Sequence, residues 1–97
     1  MKALFISYNQ AYSEEVLEVL DANGQRGFTL WDNIQGRGSV DGEPHYGNHA
    51  WPALNYAILA VVSDDKVQGI VSALKSKDEE TPELGLRVFV WDAAQAF

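Results

Sequence analysis

The chain has 97 residues, 46% apolar and 22% charged, an ordinary globular composition with room for one core, so residues 1–97 are expected to form one domain. A formal charge of −7 with only seven basic residues argues against nucleic acid as a partner, since neutralising phosphates needs clustered cations. The absence of cysteine excludes disulfides, thiolate catalysis and thiolate metal sites, and the absence of any apolar run of about 18 residues excludes a helical membrane span.

Met1-Lys2 leads into Ala3-Leu4-Phe5-Ile6, a run too short for a signal-peptide core before Ser7, so a cytoplasmic protein is expected. Residues 2–8 read as a first strand. Ser13 is placed to cap a helix, with Glu14 and Glu15 at the positive end of its dipole. Val16, Leu17 and Leu20 share one face of that helix, Val19 lies at its edge, and Asn23-Gly24 supplies a left-handed stop. Residues 27–34 alternate as a second strand. Residues 55–62 form a third, apolar on both faces. Ser63 caps a second helix that carries Asp64 and Asp65 in its first turn. Val67, Ile70, Val71 and Leu74 follow at helical spacing, with Lys75 and Lys77 near the helix's negative end. Residues 76–83 read as a charged, solvated linker, and residues 84–92 as the last strand.

The order β-α-β-β-α-β is the ferredoxin-like α+β arrangement: a four-stranded antiparallel sheet with both helices on one face. Two helices cover one side only. Yet the third strand sends Tyr56, Ile58, Ala60 and Val62 one way and Ala57, Leu59 and Val61 the other. The last sends Leu86, Val88 and Val90 opposite Arg87, Phe89 and Trp91. A whole uncovered apolar face is too large a patch for a monomer, so an obligate oligomer is expected.

Between the second and third strands lies a long segment, residues 35–54, holding four of the eight glycines, two of the three prolines and both histidines. Neither helix nor strand should cross it, and loops of that length are mostly functional or disordered. Tyr46, Trp51 and Leu54 favour a functional loop, with Trp51-Pro52 pinning its far end. Arg37 is the sole lysine or arginine between Gly27 and Asp65, flanked by Gly36 and Gly38. His45 and His49, with Glu43 and Asp41 upstream, are either a ligand set for zinc, copper or nickel or loop histidines bonded to backbone and solvent. Trp31, Trp51 and Trp91 read as core or interface anchors ahead of ligand stackers.

With these elements the chain resembles the PII nitrogen-regulatory signalling superfamily, on its PII-like side. The family joins its second and third strands by a long loop with a Gly-Phe-Gly-Arg-Gln motif at the base, and Gln35-Gly36-Arg37-Gly38 keeps the Gly-Arg core. The resemblance implies a homotrimer with adenine nucleotides in clefts between subunits, and a regulated enzyme or transporter as partner. It also implies that Gly36, Arg37 and Gly38 face phosphate, with Arg87 at the place of the family's phosphate-binding lysine. Where the family has a glycine-rich cradle before the last strand, this chain has Glu79-Glu80-Thr81-Pro82-Glu83-Leu84-Gly85. The family's tyrosine modification motif is also missing from the loop.

Other readings stay open. The CutA divalent-metal-tolerance proteins share the trimeric fold. A ligand-free trimeric interaction module fits the same pattern. Acylphosphatase, an enzyme of similar length and fold class, needs an arginine in a phosphate-cradling loop after the first strand. That place here reads Asn9-Gln10-Ala11-Tyr12-Ser13. With no nucleophile–base–acid set outside the loop, the chain is not expected to be an enzyme.

Overall fold

Strand alternation and two amphipathic helices produce the expected layers in a computed structural model, which describes residues 1–37, 43–50 and 53–97. In chain order the elements are β1 (Lys2–Asn9), α1 (Ser13–Ala22), β2 (Thr29–Ile34), β3 (Asn55–Val62), α2 (Asp64–Glu80) and β4 (Arg87–Asp92). Short 3-10 turns, Gln10–Tyr12 and Pro82–Leu84, precede α1 and β4. The sheet is four-stranded in the order β2-β3-β1-β4. All three pairings are antiparallel, with Phe5 opposite both Leu59 and Phe89.

The helices cover one face. Leu4, Ile6 and Tyr8 of β1, Ile58, Ala60 and Val62 of β3, and Val16, Val19 and Leu20 of α1 are buried together with Ile70 and Leu74 of α2. Val19 therefore belongs to the core, and Leu17, expected at its centre, packs at the margin. Ser13 is the first residue of α1, not its cap. Its hydroxyl lies 2.9 Å from the Tyr8 hydroxyl, and Asn9 instead caps the preceding turn through the Ala11 amide. Burial pushes the Tyr8 phenol above its ordinary range, opposed by that contact with Ser13. Gly24, at φ +71°, makes the expected left-handed stop after α1.

β1 runs one residue further than expected, to Asn9, and β2 starts at Thr29 instead of residue 27; two other boundaries differ by more. The supposed linker at residues 76–83 is mostly helix: α2 runs on to Glu80. Charge marks a solvated helix face as well as it marks a linker, and Lys and Glu are good helix formers. What stops α2 is Pro82, which forces Thr81 into extended backbone at φ −136°, ψ 83°. The Pro82–Leu84 turn then occupies the expected start of the last strand, so β4 begins only at Arg87.

The other face of the sheet has no covering layer among the described residues. Phe89 is 57% exposed, Trp91 49%, Trp31 46% and Val61 38%, around the partly covered Phe5 and Leu59. Aromatic groups of this size standing open mark a surface built to be covered.

On the helical side, Ile70→Ala and Leu74→Ala should each destabilise the fold by about 2–5 kcal/mol, because both side chains are fully buried. Glu79→Ala, on the exposed end of α2, should change stability by less than about 0.5 kcal/mol. Urea unfolding of the three variants checks the contrast.

Candidate functional site

The antiparallel register brings the end of β1, the end of β2, the start of β3 and the start of β4 to one end of the sheet. The long segment leaves and returns there. Its departure is bent: the β2–β3 register shifts between Trp31 and Ile34, and Asn33 takes φ +52°. A bulge of this kind re-aims the strand end, and asparagine tolerates the left-handed region better than most residues.

The base of the segment is more regular than its composition suggests. Gly36 and His45 form an antiparallel bridge, Gly36 N–H donating to His45 C=O at 2.9 Å and His45 N–H to Gly36 C=O at 2.7 Å. Gln35 Nε2 donates to Tyr46 C=O at 2.9 Å, and Gly47 N–H donates to Ala53 C=O at 2.9 Å. The expectation that no strand-like pairing enters this segment is therefore corrected at its base. The physical reason is close approach: a Cβ on Gly36 would lie 2.1 Å from Nδ2 of Asn55. Glycine here removes an obstacle to pairing, where the sequence reading took it only as a source of freedom.

Beneath the bridge sits Asn55, the first residue of β3 and only 7% exposed. Its Oδ1 lies 2.6 Å from His45 Nδ1. An amide oxygen accepts, so Nδ1 donates and the neutral ring carries its lone pair on Nε2. The His45 ring also reaches the turn before β4, where its Cε1 is 3.4 Å from the position a Cβ on Gly85 would take. Gly85 closes that turn at φ +57°. Nothing in the sequence singled out Asn55 or Gly85, since one reads as a strand start and the other as a lone glycine.

The turn itself consumes its backbone donors. Leu84 N–H donates to Thr81 C=O, Gly85 N–H to Pro82 C=O, and Leu86 N–H to the Asp78 carboxylate. These amides do not form an open anion cradle of the glycine-rich kind. Arg87 follows at once. Its Nη1 donates to Leu86 C=O at 2.6 Å and stands 4.0 Å from Oδ2 of Asp78 on α2, bringing the guanidinium toward the helix side of the sheet edge. There it joins Lys75, Asp78, Val71, Leu86 and Val88 around a groove of about 270 Å³.

Arg37 follows β2 at one edge of the sheet and Arg87 opens β4 at the other, with β3 and β1 between them. His45 is bridged to Gly36, with its ring near Gly85. Arg37, Glu43 and His49 are exposed. Among the described residues no three His, Asp or Glu side chains gather as a metal-ligand group. Gly38, Asp41, Trp51 and Pro52 lie outside the described residues.

The whole chain, residues 1–97, matches the family profile "Nitrogen regulatory protein P-II". The chain belongs to the P-II family. Members of this family are regulatory signalling proteins, not enzymes, and the ferredoxin-like fold with its long β2–β3 segment is theirs. Among solved structures, the chain is similar to CPII, a nitrogen regulatory PII-like protein from Thiomonas intermedia K12. In complex with ADP, AMP and bicarbonate, CPII matches at 25% identity and TM-score 0.74, covering 95% of this chain and 88% of that one. With ADP and bicarbonate it matches at 27% identity and TM-score 0.74, covering 93% and 82%. The apo form of CPII, at 22% identity over 93% of this chain and 85% of that one, with TM-score 0.72, supports the fold alone. No curated protein sequence matches the chain. As a P-II protein at such low identity, it is a divergent member.

Two glycines test the base of this P-II loop. A Cβ on Gly36 meets Asn55, and one on Gly47, at φ +66°, would lie 2.4 Å from Leu54 Cδ2. Gly36→Ala and Gly47→Ala should each lower stability by about 1–3 kcal/mol and speed hydrogen exchange at the His45 amide. Gly27→Ala, whose nearest neighbour would be 3.6 Å away, should leave both unchanged.

Proposed function

We propose that this P-II protein is a cytoplasmic homotrimer that binds an adenine nucleotide at the clefts between its subunits. Occupancy is relayed through the long segment to a partner protein, an enzyme or a transporter. One observation carries the reading. The base of the segment, the turn at Gly85 and the starting points of Arg37 and Arg87 share the end of a sheet whose open face is apolar. Copies packed through that face bring those groups to the subunit boundary. The CPII structures with ADP, at 25% and 27% identity, support adenine nucleotide as the ligand class, and bicarbonate accompanies it there.

In this reading Arg37 and Arg87 contact phosphate, with Gly36 and Gly38 admitting the ligand close to the backbone. Guanidinium groups suit the task, because they remain charged and can offer paired donors to phosphate oxygens. The groove beside Arg87 supplies an apolar floor from Val71 and Val88 and a second cation in Lys75. A transition metal on His45 and His49, with Glu43 or Asp41, is the CutA-like alternative. It has less support, because no three His, Asp or Glu side chains gather among the described residues.

Assembly is tested by light scattering on the eluting species, which should give three times the 10.7 kDa chain mass. Leu59→Asp should release monomers, since an unpaired charge in a dry interface costs several kcal/mol. A wild-type monomer at micromolar concentration overturns the trimer.

For the ligand, a thermal-shift panel of ADP, AMP, ATP, bicarbonate, Zn²⁺, Cu²⁺ and Ni²⁺ on metal-stripped protein should single out adenine nucleotides, since binding to the folded state raises the melting temperature. By calorimetry, Arg37→Ala and Arg87→Ala should each weaken ADP binding by about tenfold or more, the loss expected of one charge-assisted hydrogen bond. Unchanged affinity in both variants refutes the proposed cleft. A metal response removed by a His45→Ala/His49→Ala double variant, with no response to nucleotides, favours the alternative.

A further inference from the structure

We propose that Asn55 and His45 form a clasp through which the long segment senses what is bound at the turn before β4, with Asn55 the positioning residue and His45 the contact. Three observations support it independently of the two arginines. The His45 backbone is bridged to Gly36, so its ring belongs to both limbs of the segment base. Nδ1 is held at 2.6 Å by Oδ1 of Asn55, a side chain buried at the start of a central strand and anchored by the sheet. Cε1, the ring carbon next to Nδ1, lies 3.4 Å from where a Cβ on Gly85 would stand, so the ring is a close neighbour of that turn.

A histidine on a long surface segment ordinarily samples several rotamers. Here one nitrogen is held from below, and Cε1 lies beside the turn that leads directly into Arg87. Displacement of residues 85–87 by an anion drawn to Arg87 meets the ring at Cε1. Because Nδ1 is held, the ring cannot simply rotate out of the way, so the push passes to the His45 backbone and its bridge with Gly36. Glycine suits position 85 because its φ of +57° disfavours other residues, which fixes the path of the turn beside the ring. The clasp gives the population shift a physical route from cleft to loop, with a two-state element at the bridge.

The coupling rests on the nucleotide reading above, so the experiment separates the two. Hydrogen exchange at the Gly36 and His45 amides is followed in the assembled protein with and without ADP, and ADP affinity is measured in parallel by calorimetry. Without ligand, Asn55→Ala should speed exchange at both amides by about five- to tenfold, the change one ordinary hydrogen bond makes in an opening equilibrium. His45→Ala, a change at a half-buried loop residue, should do the same even if Asn55→Ala folds poorly. With ADP, the wild type should change its exchange at these amides. Both variants should lose that response while binding ADP within about threefold of wild type, and Asn55→Asp, which keeps an acceptor for Nδ1, should retain it. A full ADP response in His45→Ala overturns the proposal. If wild type binds no ADP, the nucleotide reading fails and the coupling with it. The ligand-free exchange then decides the clasp alone, and no acceleration in His45→Ala overturns that too.

Discussion

A sheet that is apolar on both faces but has helices for only one is the constraint on which the rest of this molecule depends. α1 and α2 account for the side bearing Leu4, Ile6, Ile58 and Val62. Phe5, Leu59, Phe89 and Trp91 need another cover, and with no further layer among the described residues another copy of the chain is the available source. Covering each half-exposed aromatic there contributes on the order of 1 kcal/mol or more, which favours a permanent assembly over a transient one. The same constraint locates function. Under the proposed function, a face committed to assembly would leave the ends of the strands at the boundary between copies, and one of those ends carries the long segment, the Gly85 turn and the groove beside Arg87.

Electrostatics narrows what that boundary can recognise. The chain carries a net −7, and Glu79, Glu80 and Glu83 surround the approach to β4. An anion would be repelled unless cations stood close by. The backbone does not help, since the amides of Leu84, Gly85 and Leu86 are already spent inside the turn or on Asp78. Under the proposed function, anion recognition therefore falls on side chains, chiefly Arg37, Arg87 and Lys75. Asp78 has a double part, accepting from Leu86 N–H while standing 4.0 Å from the Arg87 guanidinium. It thereby ties the start of β4 to the last turns of α2. Under that proposal the protein would differ from a glycine-rich phosphate loop, with guanidinium groups in place of a nest of amides.

Much of this was legible in the sequence because it is written in periodicity. The third strand was found to the residue at Asn55–Val62, since its two-sided apolar run is bounded by asparagine and by Ser63. The helix spacing of Ile70 and Leu74 led directly to the core, and the exposed face was evident from Phe89 and Trp91. What failed to show was whatever depends on tertiary approach. Residues 76–80 looked like part of a linker because charge does not distinguish a solvated helix face from a loop, and only Pro82 decides where the helix ends. The Gly36–His45 bridge was hidden because glycine was counted as a breaker, although pairing there requires its missing Cβ. Asn55 was invisible for a related reason. A polar residue at a strand start is unremarkable until the loop above it proves to place a histidine on it.

That last point bears on how the segment works. A loop of twenty residues held only by its ends would transmit little, because a contact anywhere along it would be absorbed by neighbouring backbone freedom. Regular hydrogen bonding at the base changes this. The Gly36–His45 pair and the Gln35–Tyr46 bond make the two limbs a short ribbon, and the Gly47–Ala53 bond closes a second ring beyond it. Leu54, next along, accepts from Gln10 N–H through its carbonyl, fastening the returning limb to the end of β1. The base is thus a hydrogen-bonded extension of the sheet. Under the proposed coupling, a displacement at the sheet's end would be carried outward by such a ribbon, and the bond from His45 Nδ1 to Asn55 Oδ1 would give the ribbon a preferred position to leave and return to.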